Sequence, residues 1–301
     1  MTPLLAVSLP VDSFNVIVLM ATYVLIAVGL HYSFGLLNVV NLVHGEFLLV
    51  GAYTAFAVQE ATGSVVLGML LAPPVAAILG ALAERLVLSR LKERVLDTLL
   101  ATFGIALLLR QGIQVVYTAN PRSVTDPISR SITVLGLVIP LWRLVVVLAT
   151  VAVVVATALL LARTDAGLRW RATVKNPELA ETLGIDTRRA RTVLFAIGSG
   201  LAGLAGALLA PLNTVTPQYG TRFLVPAFLV AILGGQGSLV GLVVAGVLLG
   251  GTLGALQFTI SSVTAQMLVV LVAILGIRAR DPLLAALRGS ARERRRSAQS
   301  A

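Results

Sequence analysis

Four polar side chains interrupt an apolar run early in this chain: Asn38, Asn41, His44 and Glu46, in the segment GLLNVVNLVHGEFLLVGAY from Gly35 to Tyr53. An amide donates and accepts hydrogen bonds, an imidazole does either by tautomer, and a carboxylate holds a cation or a proton. Within hydrocarbon a central carboxylate costs roughly 2.5 to 3.5 kcal/mol on insertion scales. Glu46 must therefore face the bundle interior, a cavity or a partner, or carry a proton. Asn38, Asn41 and, less closely, His44 recur every three residues on one side of a helix, whereas Glu46 lies about 200° round from His44. All four share a surface only if the helix is broken, and Gly35, Gly45 and Gly51 permit a break. A discontinuous helix is how many transporters aim backbone dipoles at a polar solute. Two readings stand together: the four residues line a solute pathway, or Asn41 and Glu46 tie neighbouring helices together.

Other chemistry is missing. The two histidines, His31 and His44, have no zinc-ligand spacing, and cysteine is absent, which removes disulfides, thiolate metal sites and thiol nucleophiles. Neither lysine, Lys92 or Lys175, follows a glycine-rich phosphate loop. Ser199 and Ser238 sit beside glycines without a neighbouring base, as helix-packing serines do. No catalytic site, metal or cofactor is expected.

The elements that must position the polar island are membrane helices. Of 301 residues, 57% are hydrophobic and 12% charged, and the mean hydropathy of +0.96 lies outside the range of soluble domains. Apolar stretches able to cross ~30 Å of hydrocarbon run from Phe14 to Leu30, Leu36 to Val58, Val65 to Leu88, Leu96 to Tyr117 and Leu141 to Ala162. Further along come Thr192 to Leu212, a short Phe223 to Leu233, Leu239 to Phe258 and Val263 to Ile277. The expected fold is an all-α polytopic transmembrane helical bundle of eight to nine spans, one of them re-entrant or broken. Residues 1–280 would form this domain and residues 281–301 a basic cytoplasmic tail.

The net charge of +10 does not point to nucleic acid, because the cations cluster between spans. Of the 23, 18 lie in the group Arg85 to Arg94, the loop 163–191 and the tail Arg278 to Arg296. By the positive-inside rule these mark the cytoplasmic side, and the segments around Asn120 to Pro140 and Asn213 to Gly220 face outward. The tail suits contact with anionic membrane lipid. Without a basic n-region, Phe14 to Leu30 is read as a retained span, its N-terminus outside if three spans precede Arg85. Arg110, near the outer end of its span, has room to snorkel and is not expected to bind substrate.

The loop 163–191 encodes a compact helix with marked ends. Asn176 can cap it, Pro177 suits its first position, Glu178 and Glu181 complement its positive end, and Gly184 can stop it in the left-handed conformation. Leu179, Ala180 and Leu183 then form an apolar face outside the lipid, which calls for a protein groove. Later, Gly234, Gly235 and Gly237 make LGGQGSLVG too flexible for a regular span, so a hinge or tight turn is expected. Gly246, Gly250 and Gly254, like Gly198, Ala202 and Gly206, have the spacing that lets helix backbones approach closely.

Three stretches carry a family resemblance: NVVNLVHGEFLLVGAY from Asn38, GLRWRATVKNPELAETLGIDTRRARTVLFAIGSGLAGLAGAL from Gly167, and LGGQGSLVGLVVAGVLLG from Leu233. In this order they resemble the branched-chain amino acid ABC transporter permeases of the LivH type. Glu178-Leu179-Ala180 with Gly184 is similar to the E-A-A-x3-G core by which importer permeases dock on their ATPases, although the I-x-L-P ending of other importer classes is absent. The resemblance gives Glu178, Ala180 and Gly184 the coupling role, to which the apolar face adds Leu179 and Leu183. It implies a bacterial inner-membrane subunit working with a second permease of the LivM type, two cytoplasmic ATPases and an external substrate-binding protein. The cargo would be branched-chain or other small neutral amino acids. ATP hydrolysis would then belong to a partner, so this chain is not expected to be an enzyme. The main alternative is an ion-coupled secondary transporter of small zwitterionic solutes using Glu46; a channel or an intramembrane enzyme has less in its favour.

Overall fold

Long apolar runs leave the backbone of this chain one way to satisfy its polar groups inside lipid, the α-helix. In the computed structural model, which describes residues 3–37, 39–91, 94–134 and 137–278, helices dominate. They are α1 (Pro3–Leu30), α2 (His44–Thr62), α3 (Val65–Leu86), α4 (Val95–Tyr117), α5 (Leu141–Arg163), α6 (Asp165–Lys175), α7 (Pro177–Thr182), α8 (Thr187–Leu209), α9 (Tyr219–Gly234) and α10 (Leu239–Leu256). A last helix, α11, spans Ser262–Arg278. Asn38 and the basic tail 281–301 lie outside the described residues.

Among the described residues, six helices are long and apolar enough to cross a membrane: Phe14–Leu36, Val65–Arg90, Val95–Tyr117, Leu141–Arg163, Thr187–Leu212 and Leu239–Leu256. The eight to nine spans expected from the sequence are thus not all present as long apolar helices. α2 is not among the six, since it carries His44 and Glu46 in its first turn and Gln59 and Glu60 near its last. α9 and α11 are apolar but shorter. The segment between α4 and α5 contains a small antiparallel strand pair, β1 (Ser131–Val134) and β2 (Leu137–Pro140), with Ile132 opposite Ile139.

α8 forms the axis of the bundle and packs against α1, α2 and α3. Small residues make this closeness possible. A Cβ on Gly198 would stand 2.6 Å from Gly29 O, and one on Gly206 would collide with the Leu48 backbone. α10 closes on α1 in the same manner, Gly246 against Val24, Gly250 against Leu19 and Gly254 against Val16. Pro73 and Pro74 sit inside α3, where Gly200 and Gly203 of α8 approach.

The helix ends sort by charge. At one end Arg191 of α8 meets Glu84 of α3 (Nε–Oε1 3.5 Å), beside α6 and α7; this is the basic end. At the other, Thr125 N–H donates to Gln59 Oε1 at 2.8 Å, and Arg122 pairs with Val215 through reciprocal backbone bonds of 2.8 and 2.9 Å. The segments expected to face outward therefore gather at the end away from the cations.

Candidate functional site: a broken helix and a capped helix

The first helix does not run smoothly into the second. After Leu30 the backbone widens into a π-helical turn, His31–Leu36, and helical structure resumes only at His44. π-turns recur at functional sites in helices. The break lies between Leu36 and His44, next to Gly35 and before Gly45 and Gly51. Gly45 and Gly51 lie within α2, where their missing side chains admit Gly220 of α9 and Gly203 of α8. Gly35 belongs to the π-turn, against the His31 ring.

The frayed backbone is satisfied from several directions. Val39 N–H donates to Ser33 O at 3.0 Å and Leu37 N–H to Tyr32 O at 3.3 Å. From α4, Thr102 Oγ1 accepts from Leu42 N–H at 3.3 Å and donates to Leu99 O at 2.9 Å. The turn between α9 and α10 comes up beside this break: a Cβ on Gly237 would lie 3.8 Å from Gly35 O. Gly235 and Gly237 have positive φ (86° and 73°), and Gly234 abuts Gly241 and Leu242, so the glycines form a tight turn.

The described polar residues of this segment turn to different partners. His44, fully enclosed, bonds through Nε2 to Ile26 O of α1 at 2.9 Å, and among the described residues its Nδ1 has no partner. Asn41 is buried, and among the described residues neither its Oδ1 nor the Ser33 hydroxyl has a partner. Glu46, 1% exposed, pairs with Arg110 of α4: Oε1 accepts from Nε at 3.2 Å and from an NH2 group, leaving Oε2 without a partner. Arg110 therefore does not simply snorkel. It reaches inward because a buried carboxylate offers more than the interface does, a partnership that neither residue's sequence neighbourhood signals. Ion pairs of this kind are common among ionisable residues in membrane bundles.

At the basic end the second constellation is largely local. Asn176 Oδ1 accepts from Leu179 N–H at 3.0 Å, and Pro177 opens α7. Gly184, at φ 77°, ends it: its N–H donates to Glu181 O at 3.0 Å while Ile185 N–H reaches back to Ala180 O at 3.0 Å. Two orphan carbonyls are thereby closed off, as in the left-handed glycine stop. Asp186 then caps α8 through Arg189 N–H at 2.9 Å, and Thr187 Oγ1 bonds to Glu181 across the joint. The expected apolar face is split. Ala180 is 1% exposed and turned into the protein, whereas Leu179 (56%) and Leu183 (71%) stand in the open. Trp170, Leu183, Ile185 and Val193 border a cleft of about 590 Å³ beside them.

A bundle of long apolar helices with a polar discontinuity after the first of them is a multi-pass membrane protein. The family model described as branched-chain amino acid transport system / permease component matches residues 13–277, and the chain belongs to that family. It is 29% identical over 262 residues to the high-affinity branched-chain amino acid transport system permease protein LivH of Escherichia coli K12, covering 79% of this chain and 82% of that one. BraD of Pseudomonas aeruginosa PAO1, a permease protein of the same kind of system, is 26% identical over 246 residues (76% and 80% of the two chains). LivM of Escherichia coli K12 is 27% identical over 259 residues, 75% of this chain and 59% of that one. No solved structure matches the chain.

Proposed function

We propose that this chain is one membrane subunit of an ATP-driven importer for branched-chain or other small neutral amino acids, set in a bacterial cytoplasmic membrane with its basic end inside. A second permease subunit would complete the pathway, an external binding protein would deliver the solute, and two ATPases would dock at α7. The observation that carries this reading is α7 itself: both its ends are stopped, its inner residue Ala180 is seated, and Leu179 and Leu183 are left exposed at the basic end. Two bulky apolar side chains held outside the lipid on a rigid mount suit a protein groove.

The mount leads into the bundle. Glu181 is bonded to Thr187 at the start of α8, Arg191 one turn further pairs with Glu84 of α3, and α8 touches α1, α2 and α3 along its length. A pull on α7 at ATPase closure would be transmitted as movement of a packed helix rather than absorbed by a loop. The glycine turn 234–237, against Gly35, is where α9 and α10 would change their angle to the break, and Asn38, Asn41, His44 and Glu46 are the proposed pathway residues. The ion-coupled carrier finds less support, because the carboxylate it needs is already held by Arg110.

The chain has no cysteine, so a single Leu183→Cys variant provides a unique crosslinking site. Gentle extraction of the tagged variant, crosslinking and mass spectrometry should recover P-loop ATPases joined at residue 183, with a second apolar subunit. Recovery of this chain alone, still active in uptake, would overturn the proposal in favour of a carrier.

A further inference from the structure

A second polar feature lies away from the broken helix, at the end opposite the basic one. There α1, α9, α10 and α11 enclose a cavity of about 740 Å³. Two arginines line it, Arg143 from the first turn of α5 and Arg222 from the first turn of α9. Of the five arginines outside the basic clusters, Arg110 has the Glu46 carboxylate, Arg122 lies over the Phe56 ring, 5.3 Å from its centroid, while donating to Tyr117 O, and Arg130 is exposed and outside the cavity. Among the described residues Arg143 bonds to the neutral Asn15 amide oxygen, Arg222 makes no side-chain hydrogen bond or ion pair, and no carboxylate lines the cavity.

The remaining lining is of two kinds: amides and hydroxyls, including Asn213 and Gln266, and apolar side chains, including Leu229 and the buried Phe223 and Val269. Two guanidiniums in a cavity that also has apolar walls fit a ligand with one anionic group and a hydrocarbon body. Val225 and Val270 also line the cavity and are exposed, so its side opens on the surface of the bundle.

We infer that this cavity is a binding site for one phospholipid of the outer leaflet, its phosphate held by Arg143 and Arg222 and one acyl chain lying along α9 and α11. The lipid would act as a removable wedge between α1 and the last three helices.

The test is native mass spectrometry of the complex purified from its membrane in mild detergent and washed with phospholipid-free detergent. The wild type should keep one phospholipid per chain. R143Q/R222Q, monodisperse by size-exclusion chromatography, should lose it, and R130Q, altering an arginine at the same end but outside the cavity, should keep it. Because loss of Arg143 could disturb the Asn15 contact, Gln266→Trp, which fills the cavity from an exposed position on α11, should also expel the lipid. A wild type that sheds all phospholipid, or an R143Q/R222Q variant that retains it, overturns the inference. So does a lipid-free wild type that takes up leucine at this site in a manner lost in R143Q/R222Q, which would assign the anion site to the solute instead.

Discussion

Removing Arg110 offers the sharpest test of why Glu46 is where it is. In Arg110→Leu the Glu46 carboxylate would remain enclosed, with neither oxygen partnered. At 3.2 Å and an effective dielectric of 20 the pair's gross Coulomb attraction is about 5 kcal/mol. Desolvation offsets part of that, and Arg110 retains 23% exposure, so the loss should fall near the lower end of the range for breaking a buried pair, about 3 kcal/mol. Removing both charges in E46L/R110L leaves no orphan and should recover most of it. Unfolding in mixed micelles, followed by loss of the monodisperse species, measures stability, and uptake of labelled leucine in a strain carrying the partner subunits measures function. If the pair is only a strut between α2 and α4, the double variant regains both. If Glu46 also serves the pathway, stability returns and uptake does not. A single variant within about 0.5 kcal/mol of wild type, or a double variant as unstable as the single, would refute the reasoning.

Other outcomes follow from the same geometry. Leu183→Asp should leave membrane insertion intact but uncouple ATP hydrolysis from transport, and unchanged uptake in reconstituted vesicles would count against α7 as the docking helix. Gly184→Val should cost about 1 to 2 kcal/mol from backbone conformation alone, since no atom lies within 4 Å of a Cβ there, and Gly184→Asn should cost less; thermal unfolding of the pair in detergent checks the order. Gly51→Leu should fail to assemble because its Cβ would enter the Gly203 backbone, while Gly104→Ala and Gly112→Ala, with open space around them, should be tolerated or stabilising by up to about 1 kcal/mol; equal yields of all three would contradict the packing. Asn41→Leu that assembles but loses uptake would support a pathway role for the unpartnered amide, and normal uptake would make it a packing residue.

The chain by itself determined what depends on composition and near neighbours. Its hydropathy alone requires a membrane bundle, and its clustered cations divide that bundle into a basic and a non-basic end. α7 was legible almost atom by atom, because Asn176, Pro177 and Gly184 act on backbone groups within a few residues of themselves. The family was legible from three ordered motifs. What only the tertiary structure decided involves residues far apart in sequence. Glu46 and Arg110 are 64 positions apart, and each taken alone reads as a costly charge or a snorkelling one. The helix breaks between Leu36 and His44, where Thr102 holds the Leu42 N–H, while Gly45 and Gly51 are used to admit other helices. Ala180 and Leu179 are adjacent in a single face, yet one is buried and the other free, because α6 and α8 pack against only one side of α7. Capping is settled by local backbone geometry; a partner across the bundle is chosen only when close packing fixes the register of one helix against another.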